Sequence, residues 1–179
     1  MAQIEFEAKA LEIDCTDIAL RIAAAGGSHV ADRTMRRFVY DIRPGEQGRW
    51  IRLRDTGSEV TLCVKEISGD AVDGTRETET TVGDFDTAHE LLGRLGFVPK
   101  AYQENLRSSW LLDGVRLEID SWPLIPPYLE IEGDDATQVW KTADRLALNR
   151  EDLTSENTTA VYARYGIDLE SIRELRFTT

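Results

Sequence analysis

The stretch Ile4-Glu5-Phe6-Glu7-Ala8-Lys9 decides how this chain is read. Charged and apolar residues alternate in it, so an extended strand sends Glu5, Glu7 and Lys9 to one face and Ile4, Phe6 and Ala8 to the other. The pattern returns at Arg52 and Arg54, at Lys65, at Glu77 and Glu79, at Arg107, at Glu118 and Asp120, and at Glu130 and Glu132. Each of these stands on the polar face of a period-two segment whose other face is apolar. Several strands carrying cations and carboxylates on one shared face describe a charged cavity, and a charged cavity implies an ionic ligand.

Working outward, strands are expected over residues 3–11, 29–42, 49–54, 59–67 and 75–82, joined by the turn formers Arg43 to Gly48 and Asp55 to Ser58 and by a polar loop over Ser68 to Gly74. Such short connections join antiparallel neighbours. A helix is expected from Thr16, with Ile18, Ile22 and Ala25 on one side and Gly26-Gly27 as its stop. After residue 82 the period changes to 3.6: Ala88, Leu91, Leu92 and Leu95 share a helix face capped by Asp84. Asp113-Gly114 marks a hairpin between 106–112 and 115–119, and 128–132 follows a Pro-rich connection. Ala136, Val139, Trp140, Ala143, Leu146 and Ala147 form a further helical stripe, and 149–179 reads as short helices joined by turns.

The fold class is therefore α+β: about eight antiparallel strands closed or nearly closed into a β tunnel, with helices covering its apolar outer face. The reverse arrangement, a sheet packed on its apolar face with the charges in water, uses the same alternation.

A chain of 179 residues, 41% hydrophobic and 30% charged, can bury a substantial core, and one domain over 1–179 is the default. The net charge of −12 repels nucleic acid and anionic membranes, so a polyanionic ligand must be met by local cations and metal. No run reaches the roughly 18 apolar residues of a membrane span, and acidic residues stand where a signal peptide has a basic start. The expected protein is soluble and cytoplasmic, with no nucleic-acid or membrane partner. Two histidines, His29 and His89, exclude histidine zinc sites and triads, and Cys15 and Cys63 read as packing residues.

The carboxylates come in alternate pairs, and oxygen-only pairs suit Mg²⁺ or Mn²⁺. Lys9, Arg52, Arg54, Lys65 and Arg107 supply the complementary half, since arginine forks and lysine point charges hold phosphate oxygens. A polyphosphate with bound metal satisfies both charge sets. Any one pair alone is more often the mark of a solvated face or of cross-strand ion pairing.

Glu5-x-Glu7-x-Lys9 resembles the ExExK motif of the CYTH family, the triphosphate tunnel metalloenzymes that include class IV adenylate cyclases and thiamine triphosphatases. Arg52-x-Arg54, Lys65, Glu77-x-Glu79, the stretch Tyr102 to Arg107, Asp120 and Tyr128 to Gly133 resemble further blocks in the family's order. The small bacterial cyclase-like branch is closest in appearance. The resemblance implies an eight-stranded tunnel holding a linear triphosphate with Mg²⁺ or Mn²⁺. By motif position, Glu5, Glu7, Glu130 and Glu132 coordinate metal, and Glu77 and Glu79 complete or support the acidic side. Lys9, Arg52, Arg54, Lys65 and Arg107 bind phosphates, and Asp120 supports the substrate site. Leu106 departs from relatives that carry a basic residue there, and on a regular strand it faces away from Arg107.

The activity expected first is hydrolysis of tripolyphosphate, thiamine triphosphate or another organic triphosphate with release of orthophosphate. Glu5 and Glu7 act through the metal, and Lys9 orients or deprotonates the attacking water. The alternatives are a class IV adenylate cyclase making cyclic AMP and pyrophosphate from ATP, and a tunnel that binds nucleotide or polyphosphate without turnover. A homodimer is compatible with all three.

Overall fold

Eight strands pair edge to edge until the last meets the first. They are β1 (Gln3–Ala10), β2 (Ser28–Asp41), β3 (Arg49–Asp55), β4 (Val60–Ile67), β5 (Thr75–Val82), β6 (Pro99–Leu112), β7 (Val115–Ser121) and β8 (Tyr128–Gly133). Their order is β6-β2-β3-β4-β5-β1-β8-β7, and a β6–β7 ladder from Leu106↔Ser121 to Leu112↔Val115 closes the ring. The computed structural model describes residues 3–67 and 75–178, with side chains from Phe6 onward. The Glu5 side chain and the loop read at Ser68 to Gly74 lie outside the described residues.

Two strands were not expected. β9 (Leu153–Thr154) extends the sheet beside β1, and β10 (Glu174–Leu175) lies parallel to β6. Two residues are too few for a period-two signal, so tertiary pairing alone defines them. β6 also begins earlier than its apolar pattern implied, because residues 99–105 pair with β2. Both 14-residue strands shift register at His29/Ala31 and Val39/Tyr40, irregularities that let long strands bend with a curved wall.

The outer face is the apolar one. Ala8 and Ala10 of β1, Leu117 and Ile119 of β7, and Leu129 and Ile131 of β8 are buried there. They pack beneath α1 (Cys15–Ala24) through Ile18 and Ile22 and beneath α3 (Ala136–Arg145) through Val139 and Ala143. On the far side, Ile51 and Leu53 of β3 meet Phe85 and Leu92 of α2 (Phe85–Arg94). Asp14, Asp84 and Asp135 cap these three helices by accepting backbone N–H bonds of their first turns. α4 (Thr158–Arg164) packs Val161 and Tyr162 on Trp122 and Tyr128 near one mouth. His89 is taken up by packing, stacked on Phe38 with Nδ1 2.7 Å from the Tyr40 hydroxyl.

The β6–β7 hairpin turns at Asp113 and Gly114, both at positive φ (50° and 86°), as a two-residue loop of type I′ requires. Gly27 matters for a different reason. A Cβ there would lie 2.5 Å from Ile22 Cγ2 and 2.9 Å from the Ile22 carbonyl oxygen. Gly27→Ala is expected to lower stability by about 1–3 kcal/mol, read from urea unfolding; an unchanged midpoint would mean that α1 shifts freely. Among the described residues, no helix is long and apolar enough to cross a membrane.

Candidate active site

With the apolar face outward, the charged face lines a cavity of about 480 Å³ inside the ring. On β1 and β8, Glu7 stands opposite Glu132 and Lys9 opposite Glu130. Lys9 is almost fully buried, its Nζ 2.7 Å from Glu7 Oε1 and 3.3 Å from Glu130 Oε2. On β3, β4 and β5, Arg52, Cys63 and Glu79 form one cross-strand row and Trp50, Lys65 and Glu77 the next. Arg52 Nη2 lies 3.0 Å from Glu79 Oε2 and 3.3 Å from Glu77 Oε1, while Arg54 Nη2 is 3.7 Å from Glu79 Oε2. Lys65 pairs with Glu77, and Arg116 at the tunnel rim pairs with Glu132.

Arg107 of β6 is held by a fork. Its Nε and Nη2 donate to the two Asp120 oxygens at 2.8 and 2.6 Å, and Asn105 Nδ2 donates to the same carboxylate at 3.0 Å. Asp120 is fully buried, so its place is behind Arg107, orienting that cation, rather than at the cavity surface where a substrate contact was expected. Leu106 faces outward and is partly exposed, on the side opposite Arg107.

The ring therefore brings together Glu7, Lys9, Arg52, Arg54, Lys65, Glu77, Glu79, Arg107, Glu130 and Glu132 around one cavity. Sequence reasoning missed others. Arg33 and Arg37 of β2 also line it; their even separation on a long strand was the available signal, hidden because Arg36 interrupts the alternation. Trp50 and Tyr128 also line it, and Glu118, noted only as one of a pair, joins them. Cys63, read as a packing residue, alternates with Lys65 and turns inward, where its sulfur and oxygens of Glu77 and Glu79 lie within 4.8 Å of one another.

Among the described residues, one acidic group has converging ligand atoms and a second lies along one wall. The Cys63, Glu77 and Glu79 group has converging donors, but its thiol suits softer metals. Glu7, Glu130 and Glu132 offer oxygen alone on adjoining strands, which fits a hard ion such as Mg²⁺ or Mn²⁺ better.

Charges in the ring shift one another. Burial pulls the Lys9 ammonium down, but Glu7 and Glu130 outweigh it and leave the group raised above its ordinary value. In the ligand-free ring this keeps Lys9 a cation, which suits it to orient an anion or water. Burial and the charges of Arg52 and Arg107 draw Arg54 down to about 9. Burial raises Glu118 and Asp120 against the pull of Arg107. Burial also pushes Glu130 up, yet Lys9, Arg107 and Lys65 together bring it down to about 2. A carboxyl lowered from 4.5 to about 2 adds stability that is complete above pH 4.5 and is lost as pH falls through 2. The melting-temperature gap between wild type and Glu130→Gln is therefore expected to narrow over that window; a gap constant from pH 6 to pH 3 would contradict the lowered value.

The CYTH domain model matches residues 3–162. Solved structures share the fold. A conserved hypothetical protein of Pyrococcus furiosus is 24% identical with a TM-score of 0.74, covering 86% of this chain and 97% of that one. A Vibrio parahaemolyticus protein provisionally named an adenylate cyclase is 16% identical with a TM-score of 0.76, covering 91% and 99%. A Hippeastrum protein, provisionally named an adenylyl cyclase and described as having a dominant triphosphatase activity, is 16% identical with a TM-score of 0.62, covering 96% and 100%. No curated protein matches the chain in sequence.

Proposed function

Because this chain belongs to the CYTH family, its matched region running from β1 into α4, we propose that it is a divalent-metal-dependent triphosphatase that threads a linear triphosphate into the barrel. One observation carries this reading: the side chains of Arg52, Arg54, Lys65 and Arg107 line the same enclosed cavity as Glu7, Glu130 and Glu132. Guanidinium forks and an ammonium around one enclosed space suit an anion that carries oxygens along its length. The triphosphatase activity described for the Hippeastrum protein agrees with it.

In this reading Arg52, Arg54, Lys65 and Arg107 grip the phosphate chain, and Lys9 fixes its reacting end. Glu7, Glu130 and Glu132, with Glu5, hold Mg²⁺ or Mn²⁺, and Glu77 and Glu79 support the basic side. When bound, the ion neutralises phosphate charge and favours a nucleophilic water. Water oxygen bonds to the terminal phosphorus in line as the bridging P–O bond breaks; orthophosphate forms, diphosphate leaves with the electron pair, and the water's proton passes to solvent. The arginines, already positioned, stabilise charge moving to the bridging oxygen.

The test is a product assay with tripolyphosphate, thiamine triphosphate and ATP, each with Mg²⁺, Mn²⁺ or EDTA. Metal-dependent orthophosphate release is the expected result. Cyclic AMP with pyrophosphate would assign the cyclase instead, and metal-dependent binding without product would make the barrel a sensor.

A further inference from the structure

Of the enclosed cations, two have no carboxylate within 4 Å among the described side chains. Lys9, Arg52, Arg54, Lys65 and Arg107 each have one within 4 Å. Among the described side chains, Arg33 donates to the Ser109 hydroxyl at 2.9 Å and Arg37 donates through Nε to the amide oxygen of Gln103 at 2.7 Å, both neutral partners. Resting on the proposed triphosphate tunnel, we propose that Arg37 is a further anion-binding residue, gripping the phosphate chain from the β2 wall with Arg33 beside it.

The placement favours a ligand over a structural role. Arg37 lies directly across from Arg54, and Arg54 is followed on the same face by Arg52 two residues away. Like charges facing each other across strands oppose folding, and burial with the Arg52 and Arg54 charges draws Arg37 down to about 9. A bound anion would convert that repulsion into shared attraction. Meanwhile the guanidinium is held for use: its centre sits 4.4 Å from the Trp122 ring centroid, and Gln103 fixes Nε without neutralising the charge. Arg37 lines the cavity that Arg52 and Arg54 also line. A group positioned before the ligand arrives loses little freedom on binding it.

A residue kept for binding should weaken the ligand-free protein slightly, whereas a structural residue should support it. The experiment compares wild type, Arg37→Gln and Arg37→Lys by calorimetric titration with tripolyphosphate in EDTA and by melting without ligand. Arg37→Gln is expected to bind about tenfold more weakly, threefold being the least the role allows, with a melting temperature equal to or above that of wild type. Arg37→Lys, which keeps the charge, should fall between the two. Affinity within threefold of wild type in Arg37→Gln would overturn the inference. So would equal losses in both variants accompanied by lower melting temperatures, since packing would then be the cause. Wild type that neither binds tripolyphosphate nor releases orthophosphate would sink the functional reading as well, so the two failures are distinguishable.

Discussion

Glu130→Gln is expected to reduce metal-dependent turnover of tripolyphosphate by about 10²–10³-fold while leaving metal-free binding of the same anion unchanged or tighter. Glu130 sits between the two charge sets, 3.3 Å from Lys9 and 3.7 Å from Arg107. It shares its wall with Glu7 and Glu132. Removing its charge withdraws an oxygen ligand of the proposed ion, and it also removes a carboxylate that repels phosphate. The two effects have opposite signs on two measurements, so steady-state rates with Mn²⁺ and titration in EDTA separate them. Full activity would take Glu130 out of the metal site and direct attention to Cys63, Glu77 and Glu79. A parallel fall in both quantities would mean that its function is to hold Lys9 and Arg107 in place.

Loss of the Asp120 carboxylate should be the most damaging change to the fold itself. Both of its oxygens are engaged by Arg107, and Asn105 donates to one of them, in a fully buried setting. Asp120→Ala would leave Arg107 without its fork and Asn105 without an acceptor. A buried pair broken on one side costs about 3–5 kcal/mol, so chemical unfolding should show a loss of that order. Asp120→Asn keeps the shape and one acceptor and should lose less. If Asp120→Ala unfolds at the wild-type midpoint, Glu118 at 3.9 Å and Glu130 must hold Arg107 adequately.

Much of the barrel was legible because alternation reports which way a side chain points. Glu7 and Lys9 against Ala8 and Ala10, or Glu130 and Glu132 against Leu129 and Ile131, separate inner from outer face before any partner strand is known. Helix boundaries were legible for a similarly local reason, since Asp84 caps through a neighbouring backbone N–H. The two-residue strands were not, because Leu153 and Glu174 join the sheet only by what lies beside them. Arg37 escaped notice because a strand with Arg36 and Arg37 side by side hides which of them points inward. Arg36 proves to be the outer one, bound to Asp55 and lying over the Phe85 ring.

By itself, then, the order of residues determined that strands would carry ionic side chains on one face and apolar ones on the other, since side-chain direction follows from backbone geometry alone. No local pattern records that β6 meets β7 to close the ring, that Asp120 stands behind Arg107, or that Cys63 approaches Glu77 and Glu79. The physical reason is that pairing, burial and the shift of a charge depend on groups far apart in the chain. Their separations exist only once the strands are closed around a common cavity.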